Sequence, residues 1–275
     1  MKGENQVETS REAGKKSSLY SALYYILPVL SIILLIAIWF LGASKNSMIF
    51  PTPIMVLEKM VDLCQNELSG YTLLGHMGIS LLRVAIALTL AILIGVPLGV
   101  LIGWSRAVRA TVGALFECIR PIPMLAWIPL MVMWFGIGEE SKIIMIFMAA
   151  LMPIVVNAYT GIKMVSPLYL DVGRMFNAST QRQLLTVVVL PAALPTIFAG
   201  IRNATGMALM VVLAAEMLAA RAGLGFLINR GMEVFDVSLV MSGMVAIGVT
   251  GALLAVLTNY LERKLCPWNR SLSPD

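Results

Sequence analysis

Residues 79–102, ISLLRVAIALTLAILIGVPLGVLI, form an apolar run in which Arg83 is the one charged residue. At 1.5 Å per residue, about 20 helical residues cross the hydrocarbon core of a bilayer, so this run is long enough to span it. The run lacks the alternation that a membrane β-barrel strand needs. Because lipid offers the backbone no hydrogen-bond partners, the run is predicted to be a transmembrane helix.

Similar runs recur along the 275-residue chain, of which 59% is apolar and 13% charged. A soluble domain has about a quarter charged residues. We therefore predict an all-α, polytopic membrane protein without a second globular domain. Its six predicted spans are roughly Ala22–Leu41, Ile79–Ile102, Val108–Phe135, Ser141–Thr160, Leu194–Ala219 and Ser238–Leu261.

The lysines and arginines predict the orientation of these spans. With the N-terminus inside, the cytoplasmic segments hold twelve of them and the outer segments five, as the positive-inside rule expects. Residues 1–18 are predicted to be a cytoplasmic tail, 19–265 the transmembrane domain and 266–275 a second cytoplasmic tail. The first apolar run is longer than the core of a cleavable signal peptide. The protein is thus predicted to lie in the cell (inner) membrane with both termini cytoplasmic.

Two segments between spans are predicted to have structure of their own on the outer side. Residues 51–68 place apolar and polar side chains on opposite faces of a short predicted amphipathic helix. Residues 220–237 form a similar outer linker with a glycine-rich start. Within the second span, Gly95, Gly99 and Gly103 predict close helix packing, with a contact between subunits as one option.

The cytoplasmic segment 166–191, SPLYLDVGRMFNASTQRQLLTVVVLP, predicts a short helix between the fourth and fifth spans. Ser166 can cap a helix whose first position suits Pro167. The helix would carry one apolar face, formed by Leu168, Val172, Met175 and Phe176.

The rest of this segment predicts a turn and a second helix. Asn177 suits a left-handed helix stop. Thr180 and Gln183 form a capping-box pattern, and Pro191 is expected to end or kink the second helix. Periodicity leaves two interpretations open, a helix lying on the lipid surface and a helix that docks a soluble partner.

The segment resembles the EAA motif of ABC-importer permeases, which runs roughly E-A-A-x-x-x-G-A-S with L-P about a dozen residues on. Residues 171–179 read DVGRMFNAS and are followed by Leu190-Pro191. Asp171 stands in place of Glu, and Asn177 in place of Gly, where it tolerates the left-handed conformation. A second register, shifted by one residue, places Ala178 at the glycine position.

Three further motifs extend the resemblance over residues 22–268. Residues 50–53 (FPTP), 119–139 (IRPIPMLAWIPLMVMWFGIGE) and 214–225 (AAEMLAARAGLG) look like the nitrate, sulfonate and taurine branch of these permeases. The resemblance implies a transport protein, not an enzyme, that carries a taurine- or alkanesulfonate-like or nitrate-like anion. A bicarbonate or a pyrimidine-type vitamin precursor remains an alternative substrate.

The resemblance also implies partners. These are an ATP-binding-cassette ATPase that binds the ATP, a periplasmic or lipid-anchored substrate-binding protein and a second permease copy, all at the lipid bilayer. The chain lacks a G-x-x-x-x-G-K-[ST] phosphate-binding loop, and no cofactor is expected in it. The residues that would couple to the ATPase are Leu168, Asp171, Val172, Gly173, Arg174, Met175, Phe176, Asn177, Ala178, Ser179, Arg182 and Pro191.

A translocation path is predicted near two intramembrane charges, since such charges are expensive and often functional. Arg120 is followed by Pro121 and Pro123, whose freed backbone groups can line a cavity. Glu216, late in the fifth span, would line the path, form a gate or contact the binding protein.

Each of these charges also has a structural alternative. Arg120 can pair with Glu117 three positions earlier, and Glu216 can pair with Arg221 at the interface. Arg83 and Arg202 are interpreted as anchors of helix ends without a special role.

Two other functional classes compete with the importer. An ion-coupled secondary transporter or channel usually places several ionisable groups at mid-bilayer, and few occur here. A membrane enzyme needs a cluster of His, Asp or Glu, whereas this chain has a single histidine, His76, and scattered acids. Its three cysteines follow no metal-site or disulfide spacing.

Overall fold

The computed structural model of the chain describes residues 26–27, 29–43, 50–178 and 180–268. Every regular element within these ranges is a helix, which confirms the all-α class. The ten helices, in chain order, are α1 (Val29–Ala43), α2 (Pro53–Gln65), α3 (Leu73–Trp104), α4 (Arg106–Ile119), α5 (Met124–Phe135), α6 (Glu139–Lys163), α7 (Pro167–Met175), α8 (Gln181–Leu218), α9 (Leu224–Glu233) and α10 (Val237–Leu265).

Four of the described helices, α3, α6, α8 and α10, are long and apolar enough to cross a membrane. They contain 32, 25, 38 and 29 residues, each above the roughly 20 that a span needs. The helices α4 and α5 together give a fifth candidate. The first predicted span overlaps α1, a shorter apolar helix of the described residues, while residues 22–25 and 28 lie outside the described ranges.

The third predicted span, Val108–Phe135, is wrong as one continuous helix. The chain bends by 85° between α4 and α5. Pro121 and Pro123 lie in this break, where they remove two backbone donors and disfavour helical geometry in the residues before them. A turn bond from the Ile122 amide to the Ile119 carbonyl oxygen (3.1 Å) replaces the helical pattern.

The glycines of α3 pack against α6 of the same chain. A Cβ atom on Gly95 would lie 3.0 Å from Ile154 Cγ2, and one on Gly103 would lie 2.8 Å from Ile162 Cβ. The prediction of close packing is confirmed, and the glycine contact is intramolecular rather than between subunits. Small residues allow two membrane helices to approach this closely, so the backbones of α3 and α6 pack against each other.

The core of residues 60–275 lies among α3, α6 and α8. Its fully buried side chains are mostly small, as expected where membrane helices approach closely, and include Ala87, Ala91, Ile146, Ala149, Ala150, Ile154, Ala158, Ala204 and Ala208. The helix predicted within residues 51–68 is present as α2, and the segment predicted as an outer linker, 220–237, contains the helix α9. The described residues up to Lys59 belong to a separate compact unit.

Candidate functional site

The helix α7 starts as its sequence predicts. The Ser166 hydroxyl accepts a hydrogen bond from the Leu168 amide (3.3 Å), and Pro167 occupies the first helical position. The serine gives one amide of the first turn a hydrogen-bond acceptor, and the proline has no amide N–H to leave unpaired. Local signals therefore fix where this short helix begins between α6 and α8.

The helix α7 ends at the predicted left-handed residue. Asn177 has a φ of 68°, and the Ala178 amide donates to the Gly173 carbonyl oxygen at 3.0 Å. This bond closes the helix in the manner of a Schellman motif. Ser179, which belongs to the predicted motif, lies outside the described residues.

The next helix begins with the predicted capping box. The Gln183 amide donates to Thr180 Oγ1 (3.2 Å), and the Thr180 amide donates to Gln183 Oε1 (3.1 Å). Of the two alternatives for Pro191, an end of the helix is excluded because α8 continues to Leu218, whereas a kink stays a prediction. A π-helical stretch, Leu184–Val189, directly precedes the proline, and its wider turns accommodate the missing donor.

The apolar face of α7 is open to solvent. Met175 and Phe176 are 86% and 84% exposed, and Leu168 and Val172 are also exposed. The opposite face is held by Gly173, where a Cβ atom would lie 2.8 Å from Val188 Cγ2. The segment thus presents apolar side chains outward while a glycine seats α7 against α8.

A groove of about 760 Å³ opens beside this face. In the same segment, Asp171 and Arg174 form an exposed ion pair at 3.0 Å, and Arg182 is exposed. The groove is lined by Tyr169, Val172, Phe176, Val187, Pro191 and Trp268. Of the predicted coupling residues, Val172, Gly173, Phe176, Ala178 and Pro191 line this groove.

A charge cluster lies at the other end of α3, α6 and α8, with Arg83 and Glu216 buried and the Glu139 side chain 57% exposed. The Arg83 guanidinium donates to both carboxylate oxygens of Glu139 at 2.6 Å. It also donates to Glu216 Oε1 (2.7 Å) and to the Ala222 carbonyl oxygen (2.9 Å). Arg83 thus joins three helices and the turn that follows α8.

Glu216 is 1% exposed and has several donors in the same cluster. Besides Arg83, the Ser80 hydroxyl (2.8 Å) and the Gly225 amide (2.8 Å) donate to its carboxylate. A buried carboxylate with this many charge-assisted or neutral hydrogen bonds is satisfied within its own chain. Glu216 therefore lies in a packed cluster instead of lining an open cavity.

The turn before α9 is tied to the same cluster. The Leu224 amide donates to Ser80 Oγ (2.9 Å), and the Gly223 amide donates to His76 Nδ1 (3.0 Å). Gly223 has a φ of 126°, and a Cβ atom there would overlap the Glu216 carboxylate. His76, noted in the sequence only as a single histidine, is a buried residue of α3 that hydrogen-bonds this turn.

The interpretation of Arg83 as a helix-end anchor is wrong. Arg83 lies ten positions inside α3 and is the central cation of the cluster. The partner of Glu216 is Arg83, whereas Arg221 is exposed. The sequence does show one cation, Arg83, and one acid, Glu216, in separate apolar runs. Two such residues are expected to pair, because each is costly alone in a membrane.

The bend between α4 and α5 brings the other predicted path residues together. Arg120 Nη1 lies 3.5 Å from Glu117 Oε2, and both side chains are about half exposed, which confirms the pairing alternative. Pro121 and Pro123 form the turn itself. Within the described ranges, no group of three or more His, Cys, Asp or Glu could hold a metal ion.

Comparison with protein families matches residues 95–271 to the model described as "Binding-protein-dependent transport system inner membrane component". The taurine transport system permease protein TauC of Escherichia coli (strain K12) is 36% identical over 86% of each chain. The putative aliphatic sulfonates transport permease protein SsuC of Bacillus subtilis (strain 168) is 31% identical over 96% of this chain and 95% of its own.

A solved structure has a similar fold. A chain of the MetNI methionine ABC transporter, from a native crystal form with inward-facing conformations, aligns with a TM-score of 0.61 and 19% identity. The alignment covers 76% of this chain and 98% of that one. At this identity the likeness supports the fold alone.

Proposed function

Because the chain belongs to the family of binding-protein-dependent transport system inner membrane components, we propose that the groove beside α7 seats a separate ATPase subunit. Members of this family are membrane permeases of ABC importers and not enzymes. The chain is therefore the multi-pass permease subunit of such an importer, which works with an ATPase and a substrate-binding protein. This membership also sets aside an ion-coupled secondary transporter or channel.

The observation that carries the docking proposal is the exposure of α7. Met175 and Phe176 are almost fully exposed beside a groove of about 760 Å³. Contiguous exposed apolar surface rimmed by polar residues is typical of a protein interface. The Asp171–Arg174 pair and Arg182 would supply polar contacts at its edge. The left-handed backbone at Asn177 supports the register that aligns this residue with the glycine of the EAA motif.

In the proposed mechanism, ATP-driven closure of the ATPase moves α7. The helix connects α6 to α8, and Gly173 packs it directly on Val188. The tight packing of α3 on α6 supports a rigid response, because close-packed helices do not deform continuously. Movement of α7 would thus tilt spans as bodies and alternate access across the bilayer.

The proposed topology has six spans in the bilayer with both termini in the cytoplasm, and two copies of the chain form the pathway. The excess of lysine and arginine in the cytoplasmic segments supports this orientation. The domain limits remain those of the sequence, a tail of 1–18, a permease domain of 19–265 and a tail of 266–275. In a variant whose only cysteine is the exposed Cys64, a membrane-impermeant maleimide added outside intact spheroplasts should label the protein. Labelling only after permeabilisation would contradict the proposed orientation.

The proposed substrate is a small anion of the taurine, alkanesulfonate or nitrate kind, delivered by a periplasmic or lipid-anchored binding protein. The names of the similar permeases support sulfonates. Arg120, Pro121 and Pro123 remain proposed path residues at the bend. For Glu216, complete burial favours a structural clamp over direct contact with a solute.

The docking proposal is tested by co-purification with the neighbouring ATPase. Val172→Asp and Phe176→Glu place charges in the apolar contact, so we expect loss of the complex and of ATP hydrolysis in lipid while the permease stays folded. Phe235→Glu is the matched control, since Phe235 is 91% exposed in the turn after α9. An intact, active complex in both groove variants would contradict the proposal.

A further inference from the structure

The helix α8 carries polar side chains on a face that is exposed within the span. Arg202 and Asn203 are both exposed, and Gly206 follows on the same side one turn later. A charged side chain in a transmembrane helix is expensive against lipid and is normally found facing a bundle interior or a water-filled cavity. This face of α8 is therefore unsuited to contact with lipid.

Arg202 has one ion-pair partner among the described residues, Glu262 of α10. The guanidinium side chain is 47% exposed, whereas that of Glu262 is 16% exposed. An arginine has five N–H donors in a planar fork that matches an oxyanion. Nearly half of the Arg202 side chain thus stays accessible beside the pair, and its sequence neighbour Asn203 is also exposed.

The antiparallel register of α8 and α10 brings this pair together within two helices that are each long and apolar enough to cross a membrane. Pro195 of α8 and Trp268, just after α10, line the same groove. Arg202 lies seven residues farther along α8, which corresponds to roughly 10 Å of helix. The pair is therefore deeper than the docking groove but nearer to it than to the buried Arg83 cluster.

We propose that Arg202 is an anion-contact residue on the translocation path, at its cytoplasmic half, where a sulfonate- or nitrate-like oxyanion takes the place of Glu262 on the guanidinium. This inference rests on the proposed import of a small anion. Glu262 holds the arginine side chain in place between transport events. Asn203 adds a neutral donor beside it.

The test uses the whole importer, permease, ATPase and binding protein, in proteoliposomes, with taurine, methanesulfonate and nitrate as probes. Uptake and stimulated ATP hydrolysis are measured together. For Arg202→Gln we expect at least a tenfold drop in anion transported per ATP hydrolysed, while the loaded binding protein still stimulates hydrolysis. Arg202→Lys should recover part of this loss because it keeps the charge.

Two variants separate anion contact from a structural ion pair. Glu262→Gln breaks the same pair but keeps the guanidinium, so transport per ATP should stay within about twofold of the unmodified importer. Arg230→Gln is the matched control: Arg230 has the same 47% exposure and also pairs with a glutamate, but it lies in α9 outside the spans.

The outcomes distinguish this inference from the proposed function. Equal losses in Arg202→Gln and Glu262→Gln would overturn the anion contact and leave a structural pair. Unchanged transport per ATP in Arg202→Gln would overturn it as well, with the importer itself intact. If the unmodified importer transports none of the three probes, both the anion substrate and the contact at Arg202 are wrong.

Discussion

At one end of α3, α6 and α8, charged side chains are buried; at the other end, apolar side chains are exposed. Arg83 and Glu216 are both at most 5% exposed and bond each other, whereas Met175 and Phe176 are more than 80% exposed. In the first region, buried charged groups find their hydrogen-bond partners within the chain. In the second, apolar side chains of α7 stay exposed. The contrast separates what the permease needs to fold from what it offers to a partner.

The largest effect is expected from breaking the buried cluster. Glu216→Ala leaves Arg83 without one carboxylate in a buried site, and removing one partner of a buried pair destabilises by about 3–5 kcal/mol. Unfolding in detergent should show this loss for Glu216→Ala. Glu233→Ala, which removes the acid of an exposed pair with Arg230, should stay close to the parent. Equal stabilities of the two variants would contradict a clamp at Glu216.

A smaller effect is expected where α7 is seated on α8. A side chain in Gly173→Val must displace Val188, and overpacking of this kind destabilises by about 1–3 kcal/mol. Because α7 would shift while the Arg83 cluster stays intact, ATP hydrolysis by the complex should fall more than thermal stability. Gly248→Ala is the control, since a Cβ atom there meets nothing within 4 Å. Normal hydrolysis in Gly173→Val would argue against a fixed seat for α7.

A still smaller effect is expected at the capping box between α7 and α8. Thr180→Ala removes the acceptor of the Gln183 amide, and the loss of such a cap destabilises by about 1 kcal/mol. Hydrogen exchange should speed up at residues 181–184 and not at the Gly225 amide, which Glu216 holds. Faster exchange at both places would mean that the two regions unfold together.

The smallest effect is expected at the left-handed residue. Asn177→Gly keeps the conformation that φ of 68° requires, so the free energy of unfolding should change by less than about 0.5 kcal/mol. Asn177→Val forces a β-branched residue into that conformation and should destabilise more than glycine does. Thermal unfolding of the two variants measures this difference; a glycine variant as unstable as the valine variant would show that the Asn177 side chain itself is required.

The features of this protein that the sequence predicts are those determined by neighbouring residues. The ends of α7 and the start of α8 follow from neighbouring residues, because Ser166, Asn177 and the Thr180–Gln183 box act within one turn. The apolar runs likewise predict helices from their own composition. These are local effects, and local effects are visible in one sequence.

The parts that were not predicted depend on distant residues. Arg83 and Glu216 are 133 positions apart, so nothing beside either residue identifies the other as its partner. The glycines of α3 predict close packing, but only the fold selects α6 as the contacting helix. At Pro191 the π-helical turn offers a solution that a rule about proline alone does not anticipate.

The long separation within the charge cluster has a consequence for how the protein is made. Glu139 follows Arg83 by 56 residues and Glu216 follows it by 133. At a synthesis rate of about 5–20 residues per second, Glu139 emerges roughly 3–11 s after Arg83, and Glu216 roughly 7–27 s after it. During biogenesis the helix that carries Arg83 therefore leaves the ribosome before Glu139 and Glu216 have been synthesised. Until these partners are present, the insertion machinery or the water at the bilayer surface must solvate the arginine.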